Sequence, residues 1–213
     1  MRPLVLCYHA VSPSWEHRLS IPPDLLLRQV QALSRLRRVR VTFDDAYRSS
    51  VTVFRRLHDL RLPITVFVCT SLALRGSPPA IPELAGDDPS QLATMDWDEL
   101  RSLRERGIEL GSHGIRHAHL PLLSDAELQR EVRESKTELE AELGRPCTDF
   151  AYPYGEHDER VRAAVKAAGY ERGFALWGGP KGDPFALPRL DLYRRHSPTR
   201  ALLMTTPLHR LAA

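Results

Sequence analysis

Lysine is scarce in this chain. Of 30 basic residues only Lys136, Lys166 and Lys181 are lysines, which leaves 27 arginines. The arginines are dispersed, with short clusters at Arg35 to Arg38 and Arg194-Arg195, and the formal net charge is only +3. Nucleic-acid faces need clustered positive charge with interleaved aromatics, which this pattern lacks, so nucleic acid is excluded as a partner. Most of the arginines read instead as solvated helix faces. Cysteine is equally scarce. Cys7, Cys69 and Cys147 are odd in number, far apart and form no CxxC pair, which supports neither a zinc ribbon nor a disulfide framework. Cys7 and Cys69 lie in strand-like runs, as small buried apolar residues do. No apolar run approaches transmembrane length. The run at the start, Leu4 to Tyr8, is too short for a signal-peptide core and reads as a first strand. The sequence as it stands therefore reads as cytoplasmic, or as extracytoplasmic if a leader or anchor was cut away.

What is present is enough for one well-filled core: 213 residues, 42% of them hydrophobic, most simply a single domain over 1–213. Strand-like runs alternate with helical periodicity. Leu4 to Tyr8 ends at His9, and Pro22-Pro23-Asp24 opens a helix with Leu25, Leu26, Val30, Leu33 and Leu36 at helical spacing. Val39 to Phe43 is a strand, Tyr47 to Leu60 a helix, and Ile64 to Val68 a strand with the continuous apolarity of a buried parallel position. Residues 75–94 are rich in Pro, Gly, Ser and Asp and read as a surface loop. Asp96 with Glu99, and Ser124 with Glu127, are capping-box patterns that start helices ending near Gly107 and Gly144. Ile108 to Ser112 is a strand between them. Phe150 to Gly155 follows as a strand end, then a helix over Asp158 to Ala168, weaker strands at 173–176 and 186–190, and an amphipathic segment over 199–211. Such alternation predicts an α/β fold with a mostly parallel sheet.

Polar residues collect at the ends of four of these strands: His9, Asp44-Asp45, His113 with His117, and Tyr152 to Gly155. In a β/α barrel those ends converge on one face. Adjacent carboxylates repel, so Asp44-Asp45 needs a cation or donors; alternatively the pair caps the next helix. His113 and His117 are four residues apart, which lets both imidazoles point one way; taken alone they read as ordinary surface or core histidines. Beside a strand-end Asp pair the metal reading gains. Asp45, His113 and His117 would hold a divalent ion, most simply Zn²⁺, with Co²⁺, Ni²⁺ or Mn²⁺ as further candidates, and leave a coordination position open. Asp44 would then serve as base, and the natural chemistry is hydrolysis of an amide or ester. A backbone N–H near Tyr154 would donate to the developing oxyanion.

Thr42-Phe-Asp-Asp-Ala46 resembles the TFDDG motif of the polysaccharide deacetylases, the NodB-homology group or carbohydrate esterase family four. His113-Gly-Ile-Arg-His117 is similar to that family's H-[S/T]-x-x-H motif, and Phe150 to Gly155 to its third motif. The order and spacing agree, and the likeness runs from Tyr8 to about Leu190. The resemblance implies a distorted, incomplete (β/α) barrel that removes N-acetyl or O-acetyl groups from an amino-sugar glycan or glycan precursor. It assigns Asp44 as base, Asp45, His113 and His117 as metal ligands, and the Tyr154 main chain as oxyanion donor. Three positions depart from the pattern. Ala46 replaces a Gly, Gly114 replaces a Ser or Thr, and Ala151 stands where many members have an Arg that fixes the base. Arg189 is the candidate to supply that guanidinium from another strand. His9, Tyr152 and Pro153 are candidates for substrate contact, and Trp97, Trp177 and Tyr152 for stacking on sugar rings or as core aromatics. The general acid is unassigned, His196 and His209 being candidates by position only. Related C–N hydrolysis (a deformylase on a lipid-linked sugar, an amidase on a small molecule) and a catalytically silent glycan-binding module are the alternatives.

Overall fold

The computed structural model describes residues 2–74, 84, 86–177 and 179–206. In chain order the elements are β1 (Leu4–Tyr8), β2 (Ala10–Val11), β3 (Ser20–Ile21), α1 (Pro23–Ser34), β4 (Val39–Phe43), α2 (Val51–Asp59), β5 (Ile64–Val68), α3 (Thr70–Ala73), α4 (Pro89–Leu92), α5 (Trp97–Glu105), β6 (Glu109–Ser112), α6 (Asp125–Leu143), β7 (Asp149–Ala151), α7 (Glu159–Ala167), β8 (Arg172–Ala175), β9 (Leu187–Pro188), β10 (Leu190–Asp191) and α8 (Pro198–Leu203). One parallel sheet runs β10-β1-β4-β5-β6-β7-β8-β9, and β2 pairs with β3 outside it. Its two outermost strands are halves of one segment, separated by Arg189. The first half pairs with β8 and the second with β1, so the sheet is nearly closed on itself. This is the distorted (β/α) barrel expected from the sequence.

The strands form where β-branched and aromatic residues run together. β5, Ile-Thr-Val-Phe-Val, is buried at every position, as a strand covered on both faces must be. Inside the barrel Val5, Phe67, Ala151 and Phe174 pack together. Outside it, Val41, Phe43, Val66 and Phe150 meet the apolar stripes of the helices. At the N-terminal end the barrel is plugged by charge. Asp149 accepts from Arg40 and from Arg172, both at 2.6 Å.

Capping followed the sequence. Asp96 and Ser124 each make the full capping box, and Gly144 ends α6 in the left-handed conformation (φ 63°). Three boundaries differ from the sequence reading. The helix placed at Tyr47 begins as a 3₁₀ turn at Arg48 and becomes α2 only at Val51, because Tyr47 is held in a bridge to Thr94. The Pro- and Ser-rich stretch read as loop contains α4, capped by Asp88, while residues 75–83 and 85 lie outside the described residues. The C-terminal helix covers Pro198–Leu203, and the expected continuation beyond 206 also lies outside them.

Gly173 in β8 is one glycine whose missing side chain matters. A Cβ there would fall on the Tyr152 hydroxyl and 2.8 Å from the Phe185 carbonyl oxygen, the two groups joined by the Tyr152–Phe185 hydrogen bond. Gly173→Ala is expected to lower stability by about 1–3 kcal/mol, the usual cost of overpacking. Urea unfolding reads it, and an unchanged midpoint would show that β8 yields freely.

Candidate active site

The site lies at the C-terminal end of the barrel. β4 delivers the two carboxylates. The Asp44 N–H donates to Tyr8 O at 2.9 Å, extending the ladder one residue past the strand. The chain then turns sharply through two consecutive left-handed residues, Asp45 (φ 64°) and Ala46 (φ 51°). The turn is held from outside, since Met95 N donates to Ala46 O and Arg48 N to Ala93 O, both at 2.9 Å. Position 46 therefore does need positive φ, and Ala there carries a steric cost of about 1–2 kcal/mol that Gly would avoid. The turn sends the two carboxylates to different partners.

Asp44 meets Arg189. The guanidinium donates to Asp44 Oδ1 at 2.6 Å and Oδ2 at 2.8 Å, a two-point fork, and to Thr42 Oγ1 at 3.3 Å. It reaches Asp44 from the break between β9 and β10, passing 5.4 Å from the Phe67 ring centroid. Both side chains are buried, at 0% and 3% exposure, so the fork operates in low dielectric. Burial pushes the Asp44 carboxyl up. The opposing pull of Arg189, aided by His113 and His9, is stronger and holds it well below the usual carboxylate range. The buried Cys7 thiol, which the sequence reading treated only as a small apolar residue, donates to Asp44 Oδ2 at 3.4 Å.

Asp45 has no such partner. It is buried, and neither carboxylate oxygen receives a hydrogen bond among the described residues. Burial pushes its carboxyl up. Facing it are the Nε2 atoms of His117 at 3.4 Å and His113 at 3.8 Å. His113 Nδ1 lies 2.8 Å from Ala151 O, which can only accept, so Nδ1 carries the proton and Nε2 presents a lone pair toward Asp45. Burial pushes both imidazoles down to about 4, which keeps them neutral. A buried carboxylate without donors, opposite two neutral imidazoles, costs several kcal/mol unless a cation lies between them. The three ligand atoms lie within 4.8 Å of one another, and the donor set suits a divalent ion of borderline softness. The residues present fit a metal.

A cavity of about 280 Å³ opens over these groups. Its floor is Asp44, Asp45, His113 and His117; His9, Tyr154 and Trp177 form part of its wall. Tyr154 interrupts a short 3₁₀ turn with φ 59°, and its ring is gripped between His117 (centroids 4.4 Å) and His119 (3.8 Å, stacked). Trp177 is 59% exposed at the rim.

Other candidates lie elsewhere. Tyr152 is not in the cavity wall: it is fully buried, packs on Phe150 and spends its hydroxyl on Phe185 O. Pro153 does not line the cavity either: the strand has ended at Ala151, and Pro153 opens the short 3₁₀ turn that carries Tyr154 and Gly155 to the wall. Trp97 belongs to the main core. His196, a general-acid candidate by position, is buried, with its carbonyl accepting from Gln29 and its Nδ1 from Tyr193 N, and does not line the cavity. His209 lies outside the described residues. Sequence reasoning missed several wall residues, among them Arg18, Asp191 and Tyr193. The strand alternation that carries Arg189 inward also carries Asp191 to that side, and this signal would have found it.

A sequence model of the family described as polysaccharide deacetylase matches residues 34–173. The curated protein "Putative polysaccharide deacetylase YxkH" of Bacillus subtilis is 28% identical over 136 residues, 63% of this chain and 43% of that protein, so the chain spans less than half of that relative's length. The Streptococcus pyogenes deacetylase PplD, solved in complex with acetate, superposes with a TM-score of 0.79 at 19% identity, over 97% of this chain and 99% of that one. The de-N-acetylase of Aggregatibacter actinomycetemcomitans gives 0.75 at 17% identity, over 94% and 98%. At these identities the superpositions establish a shared fold, and the family match covers more than half of the chain. By sequence and by architecture this chain belongs to the polysaccharide deacetylase family.

Proposed function

We propose that the protein removes the N-acetyl group from an amino sugar in a glycan or glycan precursor, using a divalent ion held by Asp45, His113 and His117. The observation that carries this reading is the Asp45 carboxylate, buried without a donor opposite two neutral imidazoles, next to a second carboxylate that Arg189 keeps ionised. When bound, the ion supplies Lewis acidity toward the amide carbonyl and toward water. Asp44 takes the proton that water loses as it adds to the carbonyl carbon. The Tyr154 peptide N–H donates to the oxygen on which negative charge develops. His9 supplies the proton that the amine needs when the C–N bond breaks and acetate departs; its ring nitrogen lies within 4.8 Å of the Asp44 carboxylate, on the cavity wall. Trp177 offers an exposed apolar face at the rim, suited to a pyranose ring.

Each departure from the family pattern has a counterpart here. Ala46 tolerates the left-handed turn, Gly114 adopts φ 81°, and Arg189 occupies the place beside the base that Ala151 leaves vacant. These counterparts favour turnover over silent binding. Among the described residues no helix is long and apolar enough to cross a membrane.

Stoichiometric Zn²⁺ or Co²⁺ and acetate release from N-acetylglucosamine oligomers are the expected results. Chelation is expected to abolish release, and added metal to restore it. Release that survives exhaustive chelation would sink the metal reading, and formate rather than acetate from a matched substrate panel would replace the deacetylase with a deformylase.

A further inference from the structure

The segment carrying both imidazoles is irregular. Gly114 (φ 81°) and His117 (φ 58°) are left-handed, and no helix or strand ladder holds the residues between them. Left-handed backbone at a non-glycine residue persists only where the surroundings over-determine it. On one side the loop's carbonyls are held by α3. Thr70 N donates to Gly114 O at 3.1 Å, Ser71 N to Ile115 O at 3.1 Å, and Ser71 Oγ to Ile115 O at 2.6 Å. On the other side the loop's N–H groups point at α6. Ile115 N donates to Glu131 Oε2 at 2.8 Å and Arg116 N to the same oxygen at 3.3 Å, while Arg116 Nε donates to Oε1 at 2.9 Å.

Glu131 is fully buried, whereas the Arg116 side chain that neutralises it is 62% exposed. One helical turn on, Ser135 accepts from Ser112 Oγ at 3.0 Å, and Ser112 Oγ in turn accepts from Gly114 N at 3.2 Å. Gly114 leaves room for this arrangement. A Cβ there would stand 3.2 Å from Glu131 Oε2.

We infer that Glu131 is the positioning residue of the metal centre: its carboxylate clamps the backbone of the 113–117 loop and so fixes the His117 imidazole at the distance from Asp45 that an ion requires. It takes over in this chain the loop support that a hydroxyl at position 114 would give. The inference rests on the metal reading above and concerns a residue that touches neither ion nor substrate. Without the carboxylate two part-buried N–H groups lose their acceptor, and the strained turn into His117 keeps only the α3 bonds to the loop's carbonyls. Outer partners of this kind typically govern metal affinity by 10–100-fold.

The test is metal affinity, not activity. Dissociation constants for Zn²⁺ and Co²⁺, by chelator competition, are compared for the wild type and for Glu131→Ala, Glu131→Gln and Arg116→Ala, with the Co²⁺ d–d spectrum as a geometric signature and apo-protein melting as a fold control. Glu131→Ala is expected to weaken binding roughly 10–100-fold and to alter the spectrum. Glu131→Gln keeps an oxygen for the two N–H groups, so a smaller loss is expected, and this variant carries the test if the alanine variant does not fold. Arg116→Ala keeps the Glu131 carboxylate and both backbone bonds to it, so it should lose less affinity than Glu131→Ala. The inference is overturned if Glu131→Ala and Glu131→Gln bind as tightly as the wild type, if they lose only melting temperature, or if Arg116→Ala loses as much as they do. Those failures leave the deacetylase reading intact. A wild type that binds no metal removes both.

Discussion

Asp44→Asn is expected to lower kcat for acetate release by about 10²- to 10⁴-fold, the range that a positioned acid–base group contributes. The amide keeps the shape of the carboxylate but cannot take a proton. The Asp45, His113 and His117 set is untouched, so metal content should stay stoichiometric. One complication has a known sign. Asp44 is the partner of a fully buried guanidinium, and neutralising it leaves Arg189 without a counter-charge, so the variant should also melt earlier. Kinetics below its melting range, on protein with metal content verified, separate the two effects. Turnover within about tenfold of the wild type in metal-loaded Asp44→Asn would show that another group removes the proton.

Arg189→Met carries the largest expected loss of stability, about 3–5 kcal/mol, the cost of breaking a buried ion pair by removing one side. Met fills much of the volume beside Phe67, so the change is mainly electrostatic. Removing both charges is a different matter. A pair replaced by apolar residues is often neutral in stability, so Asp44→Leu combined with Arg189→Met should recover most of what Arg189→Met alone loses. The double variant remains inactive all the same. Urea unfolding of the single variants and the double variant closes the cycle. If the losses simply add, the two side chains are not coupled, and the fork seen at 2.6 and 2.8 Å does not hold in solution. In kinetics, Arg189→Met should lower kcat with a smaller effect on KM, since the guanidinium acts through Asp44 rather than on the substrate.

Much of the fold was readable because its causes are local. A run such as Ile64 to Val68 can only be a covered strand, and Asp96 and Ser124 start helices by accepting their own backbone N–H groups. Motif order placed four chemistry-bearing strand ends on one face. Tyr152 shows where local reasoning stops. Its motif neighbours reach the cavity, but strand alternation and the space left by Gly173 turn its ring into the core. His196, Asp191 and Tyr193 teach the same lesson in both directions: the first is tucked against Gln29, the others emerge on the cavity wall.

The identities and spacing of Asp44, Asp45, His113 and His117, the helix caps and the alternating architecture were written in the sequence alone, because each depends on neighbours within a few residues or on a short motif. Tertiary structure decided which carboxylate receives the guanidinium, which is buried without a donor, and which helix places its carboxylate against the histidine loop. Those outcomes join residues 15 to 145 positions apart, and only the closure of the barrel and the packing of α6 against it bring them within hydrogen-bonding reach.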